Sequence, residues 1–512
     1  MREPSLLQRH ASKLVVGVLS LAALYLVAMV YAVGQTLLAG TLLVVIALAL
    51  WTYSSARTTA LRYLFPGIAA AVIFVVFPMV YTIAIGFTNY SSRNLLEFER
   101  AREILLEETH RADGPAYAYT LHADGAQFRL RLEDQDDDQK VLVSPPLALR
   151  QPAPLTVDLA PLLSTAAPLS EALSVKDVIA AQKDIKVLTL RTPDGALVRM
   201  TSLREFAPVQ PLYQAQNDGS LKSTRDDTVL SPDFKTGFFR TQAGEAKEPG
   251  FRVNIGLAHY ARIFTDKRFQ EPFLRIFVWT VTFSALTVLF AASLGMLLAV
   301  LLNWEGLKGR GVYRLLLFLP YAVPGFISIL IFKGLFNQNL GEINLILNTL
   351  FGIKPAWTSD PFLAKTMILI VNTWLGFPYM MVVCMGLIKS IPADLYEASA
   401  IEGAGPLTNF WRITGPLILK PLTPLLISAF AFNFNNFVLI SLLTGGRPDF
   451  LDISVPAGTT DILVSYTFRM AFQDSGQQFG LASAISTVIF FIVAAITLLQ
   501  MRFTRIAEEN RR

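Results

Sequence analysis

The chain has 512 residues, of which 53% are hydrophobic and only 16% are charged, and its formal net charge is +5. This composition excludes an ordinary soluble globular protein and is typical of a chain that crosses a membrane several times. The single cysteine, Cys384, excludes an intramolecular disulfide and a thiol cluster for a metal.

The N-terminal part of the chain predicts three membrane spans. No charged residue occurs from Leu14 to Ala56, a stretch that is too long for one span of about 20 residues and fits two, with a turn near residues 33–35. A third span is predicted from Leu64 to Thr88, with Pro78 as a tolerated kink. A cleavable signal peptide is the alternative for the first run, but a second apolar run follows at once. Residues 1–88 are therefore predicted to form a three-helix membrane segment.

Residues 89–275 have a different character, with dense charges and frequent turn signals. Alternating apolar runs flank the turns at Ala123-Asp124-Gly125 and at residues 192–195, which predicts β-hairpins. A disordered loop is the alternative, but the alternation is too regular for disorder. We therefore predict a soluble, β-rich domain at this position.

Five further spans are predicted at residues 276–302, 313–335, 365–389, 418–441 and 481–501. The predicted fold is an all-α polytopic membrane protein with eight transmembrane helices and a large β-rich domain inserted after the third. Residues 276–512 would form the membrane core, with a polar loop at 390–417. Small residues recur every four positions in the fourth span and predict close helix packing there, at Thr287, Ala291, Gly295 and Ala299.

Lysine and arginine residues beside the spans predict the orientation of the chain. With eight crossings, the basic residues of the short loops all lie on one side, which the positive-inside rule assigns to the cytoplasm. Both termini would then be cytoplasmic, and the β-rich domain would face outward. The residues concerned are Arg2, Arg9, Lys13, Arg57, Arg62, Lys308, Arg310, Arg314, Lys389, Arg412, Lys420, Arg502, Arg505, Arg511 and Arg512.

No catalytic residue set, metal site or cofactor is predicted. The sequence contains no Gly-Lys-Ser/Thr phosphate-binding loop, so nucleotide hydrolysis by this chain is not expected. Its four histidines are scattered and lie outside the predicted spans. The middle of each predicted span lacks ionisable residues, which argues against an ion-coupled carrier. The basic residues follow the membrane spans, so nucleic acid is not a predicted partner.

Uncharged polar residues do occur in two spans, at residues 374–379 and 432–438. Asn433 and Asn436 are three positions apart and would share a helix face, as would Leu375 and Tyr379 at a spacing of four. Amides bond sugar hydroxyls and aromatic rings stack on sugar rings, so this mixture suits a neutral carbohydrate. The alternative, in which the asparagines bond neighbouring helices, remains open at this point.

The polar loop at 390–417 predicts two short helices with a break between them. Pro392 and Asp394 favour a helix start, Gly403 can supply a left-handed stop, and a second helix is predicted from Leu407 to Ile413. An isolated pair of this kind needs another surface to bury its apolar residues. Either a soluble partner or the membrane surface could provide it.

This loop resembles the cytoplasmic loop of the membrane subunits of ATP-binding-cassette importers. The resemblance lies in Glu397-Ala398-Ser399, in Glu402-Gly403, and in Ile413 with Pro416. The order of the spans, the large insertion after the third, and residues 374–379 and 432–438 are similar to the larger permease subunits of maltose/maltodextrin importers. Two departures are Glu402, where the family has Asp, and Gly415, where it has Leu.

The resemblance implies a permease of the bacterial inner membrane that works by alternating access. Its partners would be a homologous second permease subunit, two copies of a cytoplasmic ATPase, a periplasmic maltose-binding protein and the lipid bilayer. The implied sugar contacts are Leu375, Gly376, Tyr379, Phe432, Asn433, Asn436 and Val438. The implied ATPase-coupling residues are Glu397, Ala398, Ile401 and Gly403.

The sequence leaves two alternative functions. A permease for another neutral sugar, such as trehalose or a glycerol-linked compound, would differ in the residues that line the sixth and seventh spans. A membrane sensor would detect a ligand with the external domain and signal through the loop. A sensor should lack a polar path through its spans, whereas Asn433 and Asn436 indicate one.

Overall fold

The computed structural model describes residues 6–125, 127–137, 140–148, 155–162, 169–304, 306–453, 455–473 and 477–509. Arg2, Arg511 and Arg512, which enter the orientation argument, lie outside these ranges. Two compact units are present, one comprising Met1–Ser92 with Asn254–Arg512 and the other Arg93–Val253. The second unit is shorter than the predicted soluble region 89–275, because the helices Ala258–Thr265 and Lys267–Asn303 pack apolar side chains within the first unit.

Within the described ranges the helices are, in chain order, α1 (Leu6–Ala32), α2 (Thr36–Ser54), α3 (Thr59–Ala71), α4 (Phe77–Gly86), α5 (Phe98–Glu107), α6 (Val175–Lys186), α7 (Ala258–Thr265), α8 (Lys267–Asn303), α9 (Arg310–Ala322), α10 (Gly325–Leu335), α11 (Glu342–Phe351), α12 (Pro361–Lys389), α13 (Ala393–Ile401), α14 (Pro406–Asn409), α15 (Gly415–Phe434), α16 (Phe437–Leu443), α17 (Leu463–Phe468) and α18 (Phe479–Glu509).

In the described part of the chain, seven helices are long and apolar enough to cross a membrane, and a bent pair raises the number to at most eight. The predicted turn at residues 33–35 is confirmed, since α1 ends at Ala32, α2 begins at Thr36, and Gly34 has a φ of 86°. The third predicted span is one helical run, Thr59–Gly86. It contains a π-helical turn at Val72–Val76, two residues before Pro78.

The predicted fifth span, 313–335, is not one straight helix. It consists of α9 and α10, which meet at an angle of 91°. Val323 and Pro324 between them have extended ψ values of 132° and 126°. A residue that precedes proline is disfavoured in the helical region, and Pro324 has no N–H to continue the hydrogen-bond ladder. The count of eight transmembrane helices therefore depends on whether this bent pair is one span.

The loop at 390–417 also differs from its prediction. The helix expected at 407–413 is the beginning of a continuous helical run, Pro406–Phe434, made of α14, a π-helical turn at Phe410–Thr414, and α15. Pro416 would clash with the carbonyl four residues before it in a regular α-helix, and the wider π turn, with the Gly415 N–H on the Phe410 carbonyl, accommodates it.

Close packing between α8 and α12 confirms the predicted small-residue face. Thr287, Ala291, Gly295 and Ala299 are all buried. A Cβ at Gly295 would lie only 2.7 Å from the Met380 Cβ and the Met381 nitrogen, so no side chain larger than hydrogen fits without movement. The glycine therefore sets how closely these two helices approach.

The second unit is β-rich, so the description all-α applies to the membrane unit alone. Its strands are β1 (Thr109–Arg111), β2 (Tyr117–Asp124), β3 (Gln127–Asp134), β4 (Val141–Val143), β5 (Leu155–Asp158), β6 (Ala160–Pro161), β7 (Leu188–Arg191), β8 (Leu197–Ser202), β9 (Glu205–Pro211), β10 (Tyr213–Ala215), β11 (Leu221–Ser223), β12 (Val229–Asp233), β13 (Phe238–Arg240) and β14 (Ala246–Lys247).

These strands form two sheets in the described residues. The larger has the order β5-β7-β8-β9-β2-β3-β4-β6, with β1 paired to β9, and the smaller has the order β10-β11-β12-β13-β14. The predicted hairpins are confirmed, since β2 pairs antiparallel with β3 and β7 with β8. Alternate side chains of β2 and β3 point into an apolar core centred on Leu121, Leu130 and Phe206, which are all almost fully buried.

Candidate functional site

One cavity of about 880 Å³ lies among α8, α12, α15, α16 and the bend between α9 and α10. All of the predicted sugar-contacting residues line it, namely Leu375, Gly376, Tyr379, Phe432, Asn433, Asn436 and Val438. The bend supplies Tyr321, Val323 and Phe326, which come from a stretch that the sequence reasoning read as an unbroken span. Each of the described residues that line this cavity has an uncharged side chain.

A helix break brings the two predicted asparagines together. Asn433 lies in the last turn of α15, whereas Asn436 precedes α16 and its side chain accepts a hydrogen bond from the Leu439 N–H at 3.4 Å. The two residues do not share one continuous helix face, as the spacing of three had suggested. The predicted span 418–441 is interrupted after Phe434, and the Asn436 side chain caps the new helix by accepting from one of its first free N–H groups. The break turns both amides toward the same cavity.

Asn372 connects these two asparagines and was missed by the sequence reasoning. It is 5% exposed, and its Nδ2 donates to the Asn433 Oδ1 at 2.7 Å and to the Thr287 Oγ1 at 3.2 Å. Its Oδ1 accepts from the Asn436 Nδ2 at 3.4 Å. The available signal was its position on α12, three, four and seven residues before Leu375, Gly376 and Tyr379, which places it on the same helix face.

The backbone fixes the orientation of this amide chain at both ends. The Asn433 Nδ2 donates to the Ala429 carbonyl at 2.8 Å, and that oxygen can only accept. Asn433 therefore turns its oxygen to Asn372, which must present its NH2 group. At the other end the Leu439 N–H can only donate, so Asn436 turns its NH2 group to the Asn372 oxygen. Both amide protons of Asn372 are used, while Asn433 and Asn436 each keep one for a ligand.

The remaining wall of the cavity is aromatic and aliphatic. Phe432 and Tyr379 are 70% and 41% exposed, and Val438 is 51% exposed. A Cβ at Gly376 would lie 3.3 Å from the Ala291 Cβ. The missing side chain therefore allows α12 and α8 to approach closely at the cavity wall. Amide groups beside exposed rings can bond hydroxyl groups and stack on the apolar face of a sugar ring.

The loop at 390–417 holds the predicted coupling residues on one short helix and its end. Glu397, Ala398 and Ile401 are all exposed on α13, and their spacing of one and four residues places them on one side of the helix. Gly403 ends this helix with a φ of 74°, as predicted. Ile401 is 86% exposed, so its apolar side chain is accessible on this side of the helix.

Two side-chain contacts that the sequence did not indicate join α13 to the helical run that follows. The Tyr396 and Thr414 hydroxyls are 2.8 Å apart, and the Ser399 hydroxyl donates to the Asn409 Oδ1. Tyr396 and Ser399 are therefore on the side of α13 opposite to the exposed residues. They hold the short helix against the run Pro406–Phe434, whose other end carries Asn433.

Apolar helices of membrane-spanning length surround the cavity, and the loop at 390–417 exposes a short helix. Residues 291–511 match the model of the binding-protein-dependent transport system inner membrane component, and residues 96–256 match the maltose transport system permease protein MalF P2 domain. The class is therefore that of the permease subunits of binding-protein-dependent transport systems.

Similarity to individual proteins extends over nearly the whole chain. The maltose/maltodextrin transport system permease protein MalF of Vibrio parahaemolyticus is 49% identical over 493 residues, which cover 95% of this chain and 93% of the relative. The protein of the same description from Escherichia coli strain K12 is 48% identical over 498 residues, or 96% of each chain. The chain belongs to the MalF family of transport system permease proteins.

A solved structure of a bacterial ABC transporter involved in the import of alginate is also similar, with a TM-score of 0.43 and 23% identity over 49% of this chain and 84% of that one. Membership of the MalF family confirms the predicted resemblance. The chain is a multi-pass permease subunit of the inner membrane, and its class works with an ATPase and a substrate-binding protein. This outcome favours a permease over a membrane sensor.

Proposed function

We propose that this chain passes maltose and maltodextrins through the inner membrane by alternating access, while a separate ATPase subunit hydrolyses ATP. The description of its relatives as maltose/maltodextrin permeases supports the substrate. The observation that carries the proposal is the convergence of two separate stretches, 375–379 and 432–438, on one uncharged cavity of about 880 Å³. A sugar unit needs hydroxyl partners and an apolar face, and this cavity offers both.

Within this proposal the residues have different roles. Asn433 and Asn436 bond sugar hydroxyls through their remaining amide protons and carbonyl lone pairs. Tyr379 and Phe432 contact the sugar rings, and Leu375, Gly376 and Val438 shape the wall. Asn372, whose amide protons are already committed, positions the other two asparagines rather than contacting the sugar.

Coupling to the ATPase follows from the continuity of one helical run. The face of α13 that carries Glu397, Ala398 and Ile401 would dock in a groove of the ATPase, and Gly403 would permit the bend after it. The run Pro406–Phe434 has 29 residues, or about 43 Å at about 1.5 Å per residue. Movement of α13 would thus be passed along this continuous run to Asn433 in the cavity.

The proposed assembly contains a homologous second permease subunit, two ATPase copies and a periplasmic maltose-binding protein. Both termini would be cytoplasmic, and the β-rich unit would be periplasmic. By function, residues 1–88 would form an N-terminal membrane segment, 89–275 the periplasmic region, and 276–512 the permease core with its coupling loop at 390–417. The charge distribution beside the spans supports this orientation.

The experiment is sugar uptake and ATP hydrolysis by the reconstituted complex with its sugar-loaded binding protein. Asn433→Ala and Tyr379→Ala should each weaken maltose binding by the membrane subunits about tenfold, the effect of losing about one good hydrogen bond or ring contact. Asn435→Ala is the matched control, because this exposed neighbour is outside the lining of the cavity.

Unchanged maltose affinity in both cavity variants would mean that Asn433 and Tyr379 contribute to helix packing and not to sugar binding. Equal or stronger uptake of trehalose than of maltose by the wild-type complex would favour the other-sugar permease instead.

A further inference from the structure

Two hydrogen bonds join the exposed helix α13 to the helical run that follows it, and they reach different parts of that run. The Ser399 hydroxyl donates to the Asn409 Oδ1, and the Tyr396 hydroxyl lies 2.8 Å from the Thr414 Oγ1. Tyr396 and Ser399 are three positions apart and therefore lie on the same side of α13. Their two partners, however, lie on opposite sides of an irregular turn in the run.

This irregular turn is the π-helical turn Phe410–Thr414, which separates α14 from α15. Asn409 is the last residue of α14, whereas Thr414 directly precedes α15. The turn interrupts the regular ladder of backbone hydrogen bonds, and Pro416 has no N–H to continue it. Helices bend at π-helical turns and at prolines. The run can therefore bend between α14 and α15.

The two sides of the turn also differ in burial. All residues of α13 and α14 are described, and none of them is buried, so a bond between these two helices joins two exposed elements. Thr414 is 5% exposed, and Ile418 and Leu422 in the first turns of α15 are almost fully buried. The latter two pack in one apolar cluster with residues of α8 and α12. The bond of Tyr396 therefore ties α13 to the packed core of the membrane unit.

We infer that Tyr396 is the positioning residue through which movement of α13 reaches α15, an inference that rests on the proposed coupling role of α13. The phenol hydroxyl bonds to the residue immediately before α15 and so bypasses α14 and the π-helical turn. Helix α15 ends one residue beyond Asn433, which lines the cavity and bonds to Asn372. Without the Tyr396 hydroxyl, α13 would stay bonded to α14, and bending at the π-helical turn would absorb its movement.

The test compares variants that each lose one hydroxyl group, in the complete complex reconstituted in lipid with its maltose-loaded binding protein. Tyr396→Phe removes the hydroxyl that bonds to Thr414 and keeps the ring. Ser399→Ala is the matched control, because it removes the hydroxyl that bonds to α14 from the same side of α13. The readout is the number of maltose molecules taken up per ATP hydrolysed, and equilibrium maltose binding is measured on the same preparations.

Tyr396→Phe should lower maltose uptake per ATP about fivefold, the effect of losing about one hydrogen bond. Its maltose affinity should stay within about twofold of the wild type, as should both measurements for Ser399→Ala. Thr414→Val, which keeps the shape of the side chain without its hydroxyl, should repeat the loss, whereas Thr414→Ser should not. Tyr396→Phe combined with Thr414→Val should lose no more than the larger single loss, because both substitutions remove the same bond.

Unchanged uptake per ATP in Tyr396→Phe would overturn the inference. An equal loss in Ser399→Ala would also overturn it, since α14 would then carry the movement. A loss of maltose affinity as large as the loss of uptake would overturn it as well, because the residue would then support the cavity and not the coupling. If Tyr396→Phe failed to assemble, the pair Thr414→Val and Thr414→Ser would give the same decision.

The wild-type complex tests the proposed function separately. Absence of maltose uptake by the wild type would refute the proposed function and, with it, the role of Tyr396. Normal uptake by the wild type together with unchanged uptake per ATP in Tyr396→Phe would refute the role of Tyr396 alone.

Discussion

The Nδ2 of Asn372 donates a hydrogen bond of 2.7 Å to the Oδ1 of Asn433, joining the middle of α12 to the end of α15 inside the membrane unit. Because Asn372 also accepts from Asn436, one buried side chain orients both cavity asparagines. The question left open by the sequence, whether the asparagines join helices or face a ligand, therefore has a divided answer. All three asparagines join helices and line the cavity, but only Asn433 and Asn436 keep an amide proton for a ligand.

A double-mutant cycle tests this division of roles. Asn372→Ala should weaken maltose affinity about tenfold, because Asn433 loses its orienting partner. In an Asn433→Ala background the same substitution should cost less than about twofold, since the residue through which it acts is gone. The measurement is equilibrium sugar binding to the purified complex. Additive losses would show that Asn372 acts through general stability, and no loss from Asn433→Ala alone would count against the proposed function itself.

Charge reversal on α13 tests coupling. Glu397→Lys should abolish the stimulation of ATP hydrolysis by the loaded binding protein while leaving sugar binding intact, because the exposed face of α13 is far from the cavity. Gly403→Pro should act in the same direction, since proline cannot adopt the positive φ of this position. ATPase rates with and without the binding protein are the readout.

The matched control for Glu397→Lys is Glu99→Lys on α5 of the soluble unit, where the acid is 74% exposed in its side chain. That variant should retain at least half of the stimulation, because surface ion pairs contribute only about 0–1 kcal/mol. Normal sugar uptake by Glu397→Lys would remove α13 from the coupling role.

Substitution of Gly295 tests the contact between α8 and α12. Gly295→Val should destabilise the complex by about 1–3 kcal/mol, since its side chain would overlap the Met380 Cβ and the Met381 backbone. Gly386→Val on α12 is the control, because nothing lies within 4 Å of a Cβ at that position. Thermal melting of the two purified variants gives the comparison. Equal melting temperatures would mean that α8 and α12 can move apart with little loss of stability.

A buried ion pair offers a further prediction, in the segment between α16 and α18. Asp461 is fully buried, and its carboxylate accepts from the Arg469 guanidinium at 2.7 Å, from the Gly458 N–H at 2.8 Å and from the Ser465 hydroxyl at 2.8 Å. Asp461→Ala should destabilise the complex by about 3–5 kcal/mol, because the buried Arg469 would keep only the more exposed Asp449 as an ion-pair partner.

Asp449, the second partner of Arg469, is 47% exposed in its side chain and provides the control. Asp449→Ala should cost about 1 kcal/mol, since water can replace an exposed carboxylate. If a thermal melt showed that the two variants lose equal stability, burial of the carboxylate would not explain the effect of Asp461→Ala.

Much of the fold could be predicted from the chain alone because hydrophobic length and turn chemistry are local properties. The turn at Gly34, the β-hairpin at Gly125 and the left-handed stop at Gly403 all occur where the sequence indicated them. The small-residue face of α8 was equally visible, because its period of four residues is a property of one helix.

The breaks were harder to predict, because each depends on groups that compete with a regular helix. Pro324 was visible in the sequence, but prolines at Pro66 and Pro378 lie inside helices without ending them. The 91° bend therefore depends on what packs around α9 and α10. Asn436 follows the end of one helix and caps the next through its own side chain. The spacing of residues in the sequence does not predict this conformation.

The sequence by itself determined the membrane class, the soluble insertion and the residue types of a sugar-compatible site, because these follow from composition, run length and side-chain chemistry. Only the tertiary structure decided that Asn372 lies between Asn433 and Asn436, that the bend of α9 and α10 forms a wall of their cavity, and that α13 is fixed to the helix ending at that cavity. Each of these is a contact between residues distant in the chain, and local periodicity carries no information about such contacts.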